Sequence, residues 1–144
     1  MITNKLKAHF ADYSAYHRTK GNQYSHYIGI TLIVMTLLGL LSQIKVGPTD
    51  AGVLLWAGAI GYCLSIDWKI TIPYSFVILG FYFFGRQLPS NIAWTLFVIG
   101  WIAQGIGHYV YEKKSPAFFT NLKHVFIGPL WIFAKAVGYG SVRS

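Results

Sequence analysis

The sequence predicts an all-α integral membrane protein: a four-helix bundle preceded by an N-terminal amphipathic helix and followed by a C-terminal interfacial helical segment. Three observations predict it. Of the 144 residues, 54% are hydrophobic and only 11% charged, whereas soluble domains carry about a quarter charged residues. Four stretches, residues 27–44, 51–66, 70–85 and 87–111, contain no Asp, Glu, Lys or Arg. The Lys and Arg residues, which give a net charge of +8, fall between and beyond these stretches rather than in one run. The composition excludes a disordered chain, which needs low hydrophobicity and high charge. It also leaves too few polar side chains to coat a soluble globule. At this length the chain, residues 1–144, is expected to be a single domain.

Residues 1–26 carry Lys5, Lys7, Arg18 and Lys20 and lack the apolar run of a signal peptide. They predict a short amphipathic helix capped by Asn4, with Leu6, Phe10, Tyr13 and Tyr16–His17 recurring every three or four residues. Gly21–Asn22 is expected to end it. The first apolar stretch, 27–44, makes a helix about 27 Å long, close to the hydrocarbon thickness of a bilayer. The second and third are shorter and separated only by Asp67-Trp68-Lys69, which reads as a tight helical hairpin. Pro73 falls in the first turn of the third, where a missing N–H costs little. The fourth becomes strongly apolar from Ile92 onward. The four spans together cover 27–112. The tail, 113–144, is aromatic (Phe118, Phe119, Phe126, Trp131, Phe133) and interrupted by Gly128–Pro129. It is expected to lie in the membrane interface. The lone Cys63 sits in an apolar stretch, so neither an internal disulfide nor a multi-thiolate metal site is available.

Charge placement orients the bundle. The segment before the first span carries four basic residues and the tail five (Lys113, Lys114, Lys123, Lys135 and Arg143), against one each in the loops (Lys45, Lys69, Arg86). The positive-inside rule then places both termini in the cytoplasm, in a bacterial inner membrane or, in a eukaryote, the endoplasmic reticulum. The partner implied by such scattered basic residues is membrane lipid, not nucleic acid.

With four spans, the start of the first and the end of the fourth share a membrane face. His17 and His26 lie at that start, and His108 and Glu112 at that end; His9 and His124 flank them, so all five histidines gather on one side. Gln104, His108 and Glu112 follow one another four residues apart and form a polar stripe on an apolar helix. Facing lipid would be costly, so the stripe is expected to face the bundle interior. Ala103 and Gly107 let a neighbouring helix come close. His108 and Glu112, one turn apart, can either bond each other or ligate one divalent metal, with His17 and His26 as further nitrogen ligands. Several His plus a carboxylate suit non-haem Fe(II) and also zinc. Asn22 and Gln104 are expected to orient the imidazoles.

The string His17-x4-Asn22-x3-His26 followed by Ile28-Gly29 is half of a recognisable pattern. The other half is Gly100-Trp101-Ile102-x-Gln104-x2-Gly107-His108-x3-Glu112-Lys113-x2-Pro116-Ala117, with Asn121-Leu122 and Pro129 after it. These residues resemble the 2-hydroxy fatty acid dioxygenase family, small membrane proteins named for the yeast enzyme that metabolises phytosphingosine to odd-numbered fatty acids. Between Thr31 and Asn91 the likeness is one of hydropathy alone. The resemblance implies an Fe(II)-dependent enzyme converting a 2-hydroxy fatty acid and O2 into the fatty acid one carbon shorter and CO2. It places functional residues at His17, Asn22, His26, Gln104, His108 and Glu112. His9 and His124 fall outside the pattern, and Lys135 stands where the family often has an acidic residue. The reaction balances with the substrate as sole electron source, so no reductase partner is required. Two other readings remain at this level. A small four-span transporter would want a carboxylate at mid-span, and none is present. A non-catalytic scaffold would use the polar stripe only to hold helices together.

Overall fold

The computed structural model describes residues 2–116 and 121–140. The chain is mostly helical. α1 (Asn4–Ala15), α2 (Lys20–Leu41), α3 (Ala51–Leu64), α4 (Trp68–Gly85), α5 (Ser90–Gly105) and α6 (Lys123–Ala136) are joined by short links. A π-helical segment, Ile106–Glu112, prolongs α5. A two-residue-per-strand hairpin, β1 (Lys45–Val46) with β2 (Thr49–Asp50), bridges α2 and α3. Gly47, at φ 58°, makes its tight turn.

α2 is the axis, in contact with α3, α4, α5, the π segment and α6. It is also the one helix among the described residues that is long and apolar enough to cross a membrane, with 22 residues and mean hydropathy 1.7. Helix starts are set by side-chain caps. Thr3, not Asn4, caps α1, its hydroxyl accepting from Leu6 N–H. Thr19 caps α2, so Gly21–Asn22 lies inside that helix rather than ending the previous one. Asp50 and Asp67 cap α3 and α4. The cap at Asp67 starts α4 two residues before the charge-free stretch, so Pro73 stands in the second turn rather than the first.

α1 buries Leu6, Phe10 and Tyr13, the stripe its periodicity predicts, against α6. Gly128–Pro129 does not interrupt α6. Ile127, Leu130, Trp131 and Ala134 are at most 1% exposed, and this burial outweighs the helix-breaking tendency of the pair. Gly128 lets Tyr13 and Ile30 approach, and Trp131 Nε1–H donates to Ser14 Oγ at 3.0 Å. The tail is thus packed onto the bundle. Ala117, Phe118, Phe119 and Arg143 of that tail lie outside the described residues.

The contact that matters most for the site is α2 against α5 and its π extension. Gly29 faces Gly100 and Ala103, and Gly107 faces Asn22, Ser25 and His26. The small residues at 103 and 107 do admit a neighbour. A Cβ on Gly107 would fall 2.5 Å from Asn22 Oδ1, so Gly107→Ala should lower stability by about 1–3 kcal/mol through overpacking. Thermal unfolding in detergent checks this; an unchanged midpoint would contradict the described packing.

Candidate metal centre

His17 lies in the link between α1 and α2, His26 in the second turn of α2, and His108 in the π segment. All three are buried. Each of the first two is aimed by the carbonyl four residues before it. His17 Nδ1 lies 2.7 Å from Tyr13 O, and His26 Nδ1 lies 2.9 Å from Asn22 O. A carbonyl only accepts, so both Nδ1 atoms carry the hydrogen. The neutral rings therefore present bare Nε2 lone pairs, and these face each other at 3.0 Å. His108 closes the group, its ring centroid 5.1 Å from that of His17 and 4.7 Å from that of His26. Its Nδ1 is buried and has no hydrogen-bond partner among the described residues. One donor atom from each ring lies within 4.8 Å of the others.

Two lone pairs pointed at each other repel unless something positive sits between them. A shared proton is disfavoured, because burial, and more weakly His108, pushes the His17 pKa down to about 4; the Tyr13 carbonyl opposes that shift only in part. A divalent cation satisfies both lone pairs and the third imidazole at once, so the donor set fits a metal. Three neutral nitrogen ligands suit Fe(II) or Zn(II), and they leave coordination positions open.

Glu112 is not brought into this group. Its Oε1 accepts from Arg18 N–H at 3.1 Å; its Oε2 accepts from Thr19 N–H, Thr19 Oγ1 and Asn22 Nδ2 at 3.0, 2.9 and 3.2 Å. It is a carboxylate at the N-terminus of α2, where the helix dipole favours negative charge. The bonds from the backbone of Arg18 and Thr19 and from the Thr19 and Asn22 side chains engage both of its oxygens. Glu112 thus clasps the end of the π segment to the start of α2, fixing His108 relative to His17 and His26. The π segment is what aims the stripe: Gln104 and His108 both face inward, while the wider turn carries Glu112 outward to the clasp.

Asn22 is fully buried. Its backbone holds His26, and its amide donates to Tyr16 O and Glu112. Gln104 is buried with its Nε2 lacking a partner among the described residues. The sequence did not point to Tyr13, whose ring stacks on His17 at 4.0 Å and 11°. Nor did it point to Gln23, which donates to His17 O at 2.8 Å and accepts from Lys135 Nζ at 2.7 Å. The four-residue offset between Tyr13 and His17, repeated between Asn22 and His26, was the available signal.

The imidazoles close one end of a cavity of about 170 Å³. Tyr13, Gln104 and His124 complete this polar end, and Ile30, Ile33, Val34 and Leu37, one face of α2, line the rest with Phe97 and Trp101. His9 is not among the lining residues. A second cavity, of about 150 Å³, shares Ile30, Val34 and Pro129 with the first.

Fold and site together define a small helical protein with a buried tri-histidine centre at the head of an apolar cavity. The chain belongs to the Mpo1-like family, described as 2-hydroxy-palmitic acid dioxygenase Mpo1-like, which matches residues 3–139. A curated relative is the 2-hydroxy-palmitic acid dioxygenase MPO1 of Saccharomyces cerevisiae. It is 27% identical over 122 residues, covering 81% of this chain and 70% of the yeast protein. No solved structure matches.

Two outcomes test the centre. Glu112→Gln should leave a folded protein whose divalent-metal affinity falls about 10- to 100-fold, as for loss of a group that orients ligands; isothermal titration with Zn(II) reads it, and unchanged affinity would remove Glu112 from the account. Separately, the His17 pKa lies below its unfolded value of 6.5. Its contribution to the stability of metal-free protein is therefore complete above pH 6.5 and lost as pH falls through about 4. His17→Gln should flatten the fall in unfolding midpoint across that window.

Proposed function

We propose that this protein is an Fe(II)-dependent, membrane-embedded dioxygenase that converts a 2-hydroxy fatty acid and O2 into the fatty acid one carbon shorter, CO2 and water. The observation that carries the reading is the convergence of three buried imidazoles at the head of an apolar cavity. The family match and the printed activity of the yeast relative support it. His17, His26 and His108 hold the metal. When bound, Fe(II) supplies the one-electron chemistry that O2 needs and a site that an α-hydroxy carboxylate can chelate.

The chain's own residues do the rest. Tyr13 O and Asn22 O fix both imidazoles in the tautomer that offers Nε2. Gln104 and the polar lining receive the substrate head. The α2 face from Ile30 to Leu37, with Phe97 and Trp101, takes the acyl tail and excludes water. The reaction RCH(OH)COOH + O2 → RCOOH + CO2 + H2O balances in atoms and in four electrons, all taken from the substrate.

Membrane placement supports the choice of substrate. Large apolar side chains stand on the outside of α3, α4 and α5: Leu54 is 49% exposed, Phe76 70%, Phe84 68%, Trp94 56% and Ile102 56%. Soluble monomers rarely expose contiguous apolar surface on this scale, and a bilayer covers it. The basic residues at both ends orient the termini toward the cytoplasm. Substrate then enters from the lipid in which it is dissolved.

Protein loaded anaerobically with Fe(II) should convert 2-hydroxypalmitate to pentadecanoate on admission of air, with one O2 consumed and one CO2 released per turnover. His108→Ala should lose both the iron and at least about a hundredfold in rate. Wild-type protein that binds Fe(II) and still leaves 2-hydroxypalmitate intact would overturn the proposal. Val34→Phe, which fills the apolar limb, should shift preference toward shorter acids.

A further inference from the structure

The cavity contains a buried acceptor that metal binding does not use. His124, in the first turn of α6, is 7% exposed, and its ring lines the same space as His17, His26 and His108. Tyr13 joins it to that group: the Tyr13 ring stacks on His17 at 4.0 Å and packs against His124 at 5.4 Å. His124 therefore stands one aromatic ring away from the three imidazoles. Tyr16 also meets it, edge-on at 5.5 Å.

The His124 ring is oriented from α1. Its Nε2 lies 2.8 Å from Asp12 Oδ2. A carboxylate only accepts, so Nε2 carries the hydrogen. In the neutral ring Nδ1 is then a bare lone pair. It is turned away from Asp12, is buried, and has no partner among the described residues. Native folds rarely leave a buried polar atom in that state. Asp12 thus does for His124 what Tyr13 O and Asn22 O do for His17 and His26. The tautomer is reversed, so the lone pair left over is on Nδ1 rather than Nε2.

That lone pair selects its partner by chemistry. It answers a donor, and it repels a carboxylate. An ionised fatty acid carries no donor at all. An ionised 2-hydroxy fatty acid carries a single one, the O–H on C2, next to the carboxylate. Resting on the reading of the cavity as a site for such acids, we infer that His124 Nδ1 accepts a hydrogen bond from the substrate's 2-hydroxyl, with Asp12 holding the ring in the accepting tautomer. The pair lies outside the three-imidazole group and acts on binding and orientation of the substrate rather than on the metal. It separates 2-hydroxy acids from plain acids of the same chain length.

The test uses purified, metal-free protein in detergent at pH 8.5. The probes are 2-hydroxypalmitate, palmitate and 2-fluoropalmitate, the last matching the hydroxyl in size but lacking the donor. Quenching of tryptophan fluorescence is the readout, since Trp101 lines the cavity. Wild type should bind the hydroxy acid about fivefold more tightly than the other two, the scale of one hydrogen bond. His124→Ala should abolish that preference and leave palmitate affinity little changed. His124→Gln, whose amide oxygen can accept, should keep part of the preference and covers the case in which the alanine variant does not fold. Asp12→Asn should reduce the preference, because an amide can donate to Nε2 and turn Nδ1 into a donor. In Fe(II)-loaded protein, His124→Ala should retain its iron and raise KM for 2-hydroxypalmitate about fivefold. Equal affinity of wild type for the three probes would overturn the inference, as would a preference that survives in His124→Ala. Wild type that prefers the hydroxy acid through His124 but never turns it over would refute the proposed reaction and leave this hydroxyl site standing.

Discussion

Two imidazole nitrogens facing each other at 3.0 Å, each with its other nitrogen already committed to a backbone carbonyl, are the constraint on which the structure turns. Neither ring can rotate to relieve the contact without abandoning a buried hydrogen bond. Both are deep enough that taking up a proton is costly. A cation resolves the conflict that the fold creates. Much of the surrounding structure can be read as holding that arrangement in place: Gln23 on the His17 carbonyl, Lys135 on Gln23, and Tyr13 stacked on the His17 ring.

The third imidazole depends on a different device. His108 reaches the pair because α5 comes close to α2 through Gly29, Gly100, Ala103 and Gly107, and because the helix widens into π geometry at Ile106. An uninterrupted α-helix would have kept Gln104, His108 and Glu112 on one stripe. The π turn separates them, with His108 aimed inward and Glu112 at the α2 N-terminus. The carboxylate therefore serves the site indirectly. Its bonds to Arg18, Thr19 and Asn22 join the two ends of the sequence at the point where their histidines must meet.

Much of this was legible in the sequence, because it follows from composition and coarse periodicity. The apolar stretches mark α2 to α5, the amphipathic spacing of Leu6, Phe10 and Tyr13 marks α1, and the shared end of the first and last long helices brings His17, His26 and His108 together. What was not legible depends on local geometry that periodicity does not encode. A π turn carries no marker in residue type, so the separate role of Glu112 was hidden. Gly128–Pro129 reads as a break, yet packing of Trp131 and Leu130 keeps α6 whole. Thr19 as a helix cap competed with Gly21–Asn22 as a stop, and the hydroxyl cap prevailed. His124 lacked a visible partner because Asp12 is distant in sequence.

The central claim is that a metal is held by imidazoles alone. X-ray absorption spectroscopy of the anaerobic Fe(II)-loaded protein tests it most directly. The account predicts outer-shell scattering from three imidazole rings, unchanged in Glu112→Gln protein that has been saturated with iron. A first shell made of oxygen with fewer than two imidazoles, or one that changes when Glu112 is replaced, would contradict it.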